Sequence, residues 1–370
     1  MVDTPSTPPG AHGRADADPA TADAAGALMR AEIAEQPGRW SDLLTLGRTA
    51  LEQASALLRE ARPELVVLAA RGSSDHAAQY GQYLVHERLH VPAMLATPSS
   101  ITRNAGHLTY PRSVMVAVSQ SGRSPDLLAT VADARAGGVP VIAVTNDASS
   151  PLAGLADVHI DLGAGPERSV AATKTYTGEL LALRQLVLGA TDGPELDVDA
   201  LVASASAVLA AMDDQAVTAA SALGEADRVL VVGRGLSMGS AKEGALKLME
   251  TCALAASGWS AADATHGPLG QVVEGTTVLA LTAGARSRDS VLDFARAAAA
   301  QGGRVVTVLD DASVDGFGDA WARGVVPPPA DDLAPLLEIL PIQRVALELA
   351  LQRGLDPDRP RGLRKVTLTS

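Results

Sequence analysis

Aromatic side chains are scarce in this 370-residue chain: phenylalanine, tyrosine and tryptophan together supply 2% of it. The stacking platforms that hold unpaired bases are therefore missing. Basic residues are outnumbered, 30 against 43 acidic ones, and the formal charge of -13 leaves no cationic surface to track a phosphodiester backbone. Nucleic acid is excluded as a partner on both counts. A single cysteine, Cys252, can form neither an internal disulfide nor a cysteine-rich zinc site, which fits a reducing cytoplasm. No apolar run approaches the roughly 20 residues that span a bilayer, and residues 1–26 lack the apolar core of a signal peptide. The expectation is a cytoplasmic protein without a membrane segment, opening on a disordered tail over residues 1–26.

What is present is a chain with 47% hydrophobic residues, long enough for two ordinary domains. Helical patterns over 27–35 and 43–59 lead into an apolar run at 65–70 that ends at Arg71-Gly72-Ser73-Ser74. Similar runs at 114–118 and 139–144 end in Ser119-Gln120-Ser121-Gly122 and Thr145-Asn146-Asp147, with helix-length segments between them. Such alternation predicts a parallel sheet covered on both faces. The pattern recurs at 229–232, 277–281 and 305–309, and the offsets from Arg71-Gly72 to Arg234-Gly235 and from Ser119 to Thr282 are both 163 positions. Equal spacing predicts two copies of one fold, over 27–195 and 196–352, with a polar link at 193–198, a loop at Pro327-Pro328-Pro329 and a final tail over 353–370. In open α/β sheets ligands sit beyond the carboxyl ends of the strands, so these turns are where function belongs.

Ser119-Gln120-Ser121-Gly122-Arg123-Ser124-Pro125-Asp126 joins a buried strand to a helix that Pro125 opens, with Ser124 at the N-cap. Hydroxyls and free amides at a helix N-terminus bind phosphate, and Ser73 and Ser74 on the neighbouring strand end add donors. In the second copy the same turn reads Thr282-Ala283-Gly284-Ala285-Arg286-Ser287 and has lost the paired serines. That copy instead carries Glu243, Lys247 and Glu250 on one helical face, and sixteen positions after Glu250 stands His266 in the loop Thr265-His266-Gly267-Pro268. On periodicity alone the stripe is a solvated face. Beside a phosphate site, a carboxylate and an imidazole supply the proton transfer and ring opening of aldose-ketose chemistry.

Three other motifs invite over-reading. His86-Glu87-Arg88-Leu89-His90 matches a zinc-protease pattern, but Val91-Pro92 ends its helix at once and no third ligand is in evidence. Gly233-x-Gly235-x-x-x-Gly239 is one residue off a dinucleotide fingerprint and lacks a following ribose-binding acid. Cys252, on the Leu248 and Met249 side of its helix, reads as a core residue.

Together with Gly165-Pro166-Glu167, Ala172-Thr173-Lys174, Glu250-Thr251-Cys252-Ala253, Ser260-Ala261-Ala262-Asp263 and Leu363-Arg364-Lys365-Val366-Thr367, these motifs resemble the tandem sugar isomerase (SIS) domain family. The likeness extends to the isomerase half of glutamine:fructose-6-phosphate aminotransferases and, more closely, to type II glucosamine-6-phosphate deaminases. The resemblance implies two α/β SIS subdomains, each a three-layer, flavodoxin-like parallel sheet flanked by helices. It also implies an enzyme acting on a phosphorylated amino sugar as a homodimer, with no metal and no cofactor. By position, Ser74, Ser119, Gln120, Ser121 and Ser124 hold the phosphate, Glu250 moves the proton between C1 and C2, and His266 assists ring opening from the partner subunit. Lys365 reaches the open-chain sugar, and Glu243 and Lys247 support the site. Two departures stand out: Ala255-Ala256-Ser257 where the family commonly shows His-Ala-Glu, and Arg123, a cation expected beside the anion site. The chain begins Met1-Val2-Asp3 and devotes its length to the two sugar domains, so glutamine hydrolysis is not expected of it. The implied reaction is glucosamine 6-phosphate to fructose 6-phosphate and ammonia, the alternatives being an aldose-ketose isomerase or deglycase and a non-catalytic sugar-phosphate sensor.

Overall fold

The computed structural model describes residues 24–365 except 105, 192, 310–316, 318 and 326–329. Most of the expected tail over 1–26, the loop at 327–329, Asp310-Asp311 and Val366-Thr367 lie outside the described residues.

The first half runs α1 (Ala27–Leu46), α2 (Arg48–Ala61), β1 (Leu65–Ala69), α3 (Ser73–Leu84), β2 (Ala93–Leu95), α4 (Pro98–Thr102), β3 (Ser113–Val118), α5 (Pro125–Ala136), β4 (Val141–Thr145), α6 (Pro151–Leu155), β5 (Val158–Asp161) and α7 (Lys174–Gly189). The second runs α8 (Val198–Gly224), β6 (Arg228–Gly233), α9 (Met238–Cys252), β7 (Ala256–Ser260), α10 (Ala261–Ala264), β8 (Thr276–Leu281), α11 (Ala285–Ala300), β9 (Arg304–Val308), β10 (Asp319–Trp321) and α12 (Ala334–Gln352). The strand orders are β2-β1-β3-β4-β5 and, read from the other edge, β7-β6-β8-β9-β10. Element for element the two orders are the same, and every pairing is parallel. Val67 sits between Met94 and Met115, and its counterpart Leu230 between Ser257 and Val278.

The central strands are the apolar runs of the sequence, and β3, β4 and β8 are buried along their whole length. The four edge strands have no counterpart among the apolar runs of the sequence, because they are short or half-exposed and carry little apolar signal. In β7 a Cβ on Gly258 would lie 2.4 Å from the Lys242 Cα, so glycine lets this strand pass close under α9. The single helix expected over 43–59 is two helices meeting at Gly47, where a Cβ would stand 2.5 Å from the Leu43 carbonyl oxygen.

Helices α7 and α12 are buried nearly throughout, and α12 packs on α8 and α9. Helix α8 is long and apolar enough to cross a membrane by length and composition, with a mean hydropathy of 1.3. Its residues Leu201, Ala205, Val208, Met212, Ala216, Ala220 and Leu223 nevertheless form one buried stripe against α1 and α12, and Asp213 on it pairs with Arg344. The halves also meet where α3 packs on α9. A Cβ on Gly239 would come within 2.4 Å of the His76 carbonyl oxygen, so the small residue permits an approach that sets the α9 stripe beside the first sheet's mouth.

The remaining motifs resolve plainly. His86 Nε2 accepts from the Ala93 amide at 3.0 Å, Glu87 faces Arg286, and His90 ends a π-helical turn in the left-handed region. Cys252 is buried, its thiol donating to the Ala346 carbonyl.

Candidate active site

The turns after the adjacent strands β1 and β3 open into a cavity of about 340 Å³. Ser73, Ser74, Ser119, Gln120, Ser121 and Ser124 all line it. Gly122 has φ 60, and a Cβ there would lie 2.3 Å from Ser150 Oγ, so only glycine closes the turn. Ser119 Oγ accepts from the Gly122 amide at 3.1 Å, and Ser121 Oγ from the Arg123 amide at 3.4 Å. A hydroxyl that accepts from its own loop keeps its hydrogen for a ligand. Ser124 has the extended backbone of an N-cap, yet its side chain makes no capping bond, which leaves that hydroxyl spare as well.

Two arginines lie differently. Arg71 borders the cavity and is fixed by Asp126 at 2.7 Å. Arg123, expected as a cation beside the anion site, instead pairs with Asp147 at 2.8 Å and does not line the cavity. Hydrogen bonds from Ser149 and Arg123 hold the Asp147 carboxyl down at about 2, so the pair stays charged.

The stripe on α9 is not a solvated face. Glu243 and Lys247 are fully buried, while Glu250, partly exposed, borders the cavity. Lys247 Nζ lies 3.1 Å from Glu243 Oε1, 2.7 Å from Glu250 Oε2 and 3.4 Å from Ser73 Oγ. His76 Nδ1 on α3 meets Glu243 Oε2 at 2.8 Å. Burial would favour neutral groups here, but the mutual attraction outweighs it: Lys247 is held above the usual ammonium range and Glu243 below the usual carboxylate range.

The third wall is the tail. Asp358 accepts from the opening amides of α1, Leu28 at 3.0 Å and Met29 at 2.7 Å, and its carbonyl accepts from the Val170 amide at 3.1 Å. So anchored, the tail brings Lys365 to the cavity, where its Nζ pairs with Glu167 Oε2 at 2.6 Å. Burial would raise Glu167, but Lys365 together with bonds from Thr175 and the Thr173 amide holds it below its ordinary value.

His266 stands apart: it is exposed, in the turn after α10, and is not among the residues lining the cavity. Three groups of this region carried no assigned role in the sequence. Glu167 lies in Gly165-Pro166-Glu167, His76 three positions past Ser73, and Glu179 is the lone acid among the leucines of α7, a signal readable in the sequence.

A family model described as the SIS domain matches residues 57–189 and again 222–352. The glutamine-fructose-6-phosphate aminotransferase (isomerizing) of Pyrococcus horikoshii is 32% identical over 346 residues, covering 91% of this chain and 57% of that protein. The chain thus spans little more than half the length of the curated relatives it matches. A candidate phosphosugar isomerase from Silicibacter pomeroyi has a crystal structure similar to this one, with 32% identity and a TM-score of 0.77, covering 89% of this chain and 99% of that one. The Thermotoga maritima glucosamine-6-phosphate deaminase, 20% identical, shares the fold with a TM-score of 0.71 over 90% of this chain and 100% of that one. With two matched copies, one strand order in both sheets and a serine-lined mouth, the chain belongs to the sugar isomerase (SIS) domain family.

Proposed function

We propose that this chain carries out the isomerising deamination of an amino-sugar phosphate, with glucosamine 6-phosphate giving fructose 6-phosphate and ammonia. One observation carries the reading: a single cavity has anion-accepting serine hydroxyls on one wall and the Glu250 carboxylate, held by Lys247, on another. The serines would hold the phosphate, and Glu250 would take the C2 proton of the open-chain sugar and return it to C1. The amine-bearing carbon then becomes an imine, which water hydrolyses to the ketone and ammonia. Proton transfer by a positioned group of this kind contributes roughly 100- to 10,000-fold in rate. Lys365, on the wall facing the sugar, would meet its oxygens.

The names of the relatives support the substrate class, and the exposed His266 supports a homodimer in which each copy lends its imidazole to the other. The test is a coupled assay for ammonia and fructose 6-phosphate across a panel of phosphorylated amino sugars. Matched release of both is the expected result. Isomerisation without ammonia would replace the proposal by an aldose-ketose isomerase, and saturable binding without turnover by a sensor.

A further inference from the structure

Behind Ser74 lies a carboxyl group that the proposed reaction does not use. Glu179 on α7 is 1% exposed, and its Oε1 shares a hydrogen bond of 2.8 Å with Ser74 Oγ. Its Oε2 has no hydrogen-bond partner, and no cation among the described residues pairs with it. The groups that act on it are Ser74 on α3, Tyr176 on α7, Glu243 on α9, Glu167 in the loop before α7 and Lys365 in the tail; beyond them, His76 and Lys247 meet Glu243, and Tyr80 adjoins Tyr176. Both neighbouring carboxylates already hold a lysine, Glu167 with Lys365 and Glu243 with Lys247. Glu179 is the one acid of the three without a counter-charge, and an unpaired buried carboxylate is far costlier than a buried neutral acid. Burial accordingly holds Glu179 well above the usual carboxylate range, against the pull of the Ser74 hydrogen bond.

The state of that proton decides what Ser74 can do. A hydroxyl has one hydrogen to give. If Glu179 is ionised, Ser74 spends that hydrogen on it and turns a lone pair to the cavity, which repels a phosphate. We infer that Glu179 is a positioning residue that keeps its proton and donates it to Ser74 Oγ, turning the Ser74 hydroxyl hydrogen toward a phosphate oxygen. The inference rests on the sugar-phosphate reading of the cavity and adds to it the device that orients one donor.

The test uses the full chain with two variants, their folding checked by thermal melting. Glu179→Gln keeps a donor and cannot ionise; Glu179→Leu removes the donor. Binding of fructose 6-phosphate and of inorganic phosphate is measured by calorimetry at pH 8. Infrared difference spectra of wild type against Glu179→Gln then read the protonated carboxyl directly. The expected results are Glu179→Gln within about threefold of wild-type affinity, and Glu179→Leu weaker by about tenfold or more, the loss of one donor to a charged group. A protonated-carboxyl band should appear that belongs to Glu179 and shifts when fructose 6-phosphate binds. Absence of that band overturns the inference, as does a Glu179→Gln variant that binds weakly while well folded. Should Glu179→Leu fail to fold, the band and the Glu179→Gln affinity still decide. Wild-type protein that binds neither probe overturns the cavity reading itself, whereas binding without the band overturns only the role of Glu179.

Discussion

The two copies share a strand order and differ at the mouth of the strand that feeds each phosphate-type turn. After β3 the amides and hydroxyls of the turn face an open cavity. After β8 a smaller cavity of about 160 Å³ remains, bordered by Gly235, Ser237, Gly284 and Ser287, but the chain's own acids take the turn amides: Asp331 Oδ1 accepts from the Ala285 amide at 2.8 Å, its Oδ2 from the Arg286 amide at 3.3 Å, and Glu338 Oε1 from the Ala283 amide at 3.1 Å. A carboxylate at a helix N-terminus satisfies the same orphan amides and dipole that a phosphate would. Thr282, where the first copy has Ser119, spends its hydroxyl on the Val308 carbonyl at 3.2 Å. Duplication has copied the frame, and the anion-ready mouth persists where the chain supplies no anion of its own.

The largest expected break in this comparison is chemical. Glu250→Gln keeps size and hydrogen bonding but removes the base, so turnover should fall by about 100-fold or more while fructose 6-phosphate still binds. Near-normal turnover in steady-state assays would return Glu250 to a structural role. Next comes the phosphate mouth. Ser121→Ala should weaken phosphosugar affinity by roughly 10- to 100-fold, as for a lost donor to a charged group, whereas Ser287→Ala in the second copy should leave it unchanged. Equal effects in calorimetry would erase the proposed division of labour.

A third prediction concerns acid behaviour at the second mouth. Burial raises the Glu338 carboxyl to about 7 from an ordinary 4.5, despite hydrogen bonds from Ser237 and the turn amides. The folded state therefore keeps a proton that the unfolded chain releases, and the stability this adds is complete below pH 4.5 and is lost as pH rises through about 7. Melting curves from pH 4.5 to 7.5 should show wild type losing on the order of 3 kcal/mol relative to Glu338→Gln across that range. A difference that does not move with pH contradicts it. The smallest effect is expected from Asp331→Ala, a loss of about 1 kcal/mol, or roughly 2 °C in Tm. Added sulfate should recover part of that loss in the variant and do little for wild type. If sulfate helps both equally, the carboxylate is not standing in for an anion.

Strand identity at the centre of each sheet was legible because Val114, Met115 and Val116 or Val278, Leu279 and Ala280 must be apolar on both faces. The serine mouth was legible for a related reason: hydroxyls clustered at a strand end have few other uses. The fate of Arg123 was not, because Asp147 is 24 positions away and only the fold brings the pair together. Nor was the burial of Glu243 and Lys247, since a solvated stripe and a stripe buried against α3 have the same spacing. Edge strands such as β10 draw their place from a neighbour's hydrogen bonds rather than from their own side chains.

The bonds that Asp358 makes to Leu28 and Met29 join positions 330 and 329 residues apart, which has a consequence for the order of assembly. Contacts of such sequence separation form only after the intervening loops have closed, so they come late in folding. On the ribosome the first sheet and its serine turns emerge and can fold while the strap that carries Lys365 is still unsynthesised. A partly made chain would thus hold a phosphate mouth that still lacks the wall carrying Lys365 and, until α9 is made, the one carrying Glu250 as well. In pulse-labelled refolding, the amides of Leu28 and Met29 should be among the last in the first half to gain protection from exchange, and the cavity should acquire its final shape in that same step.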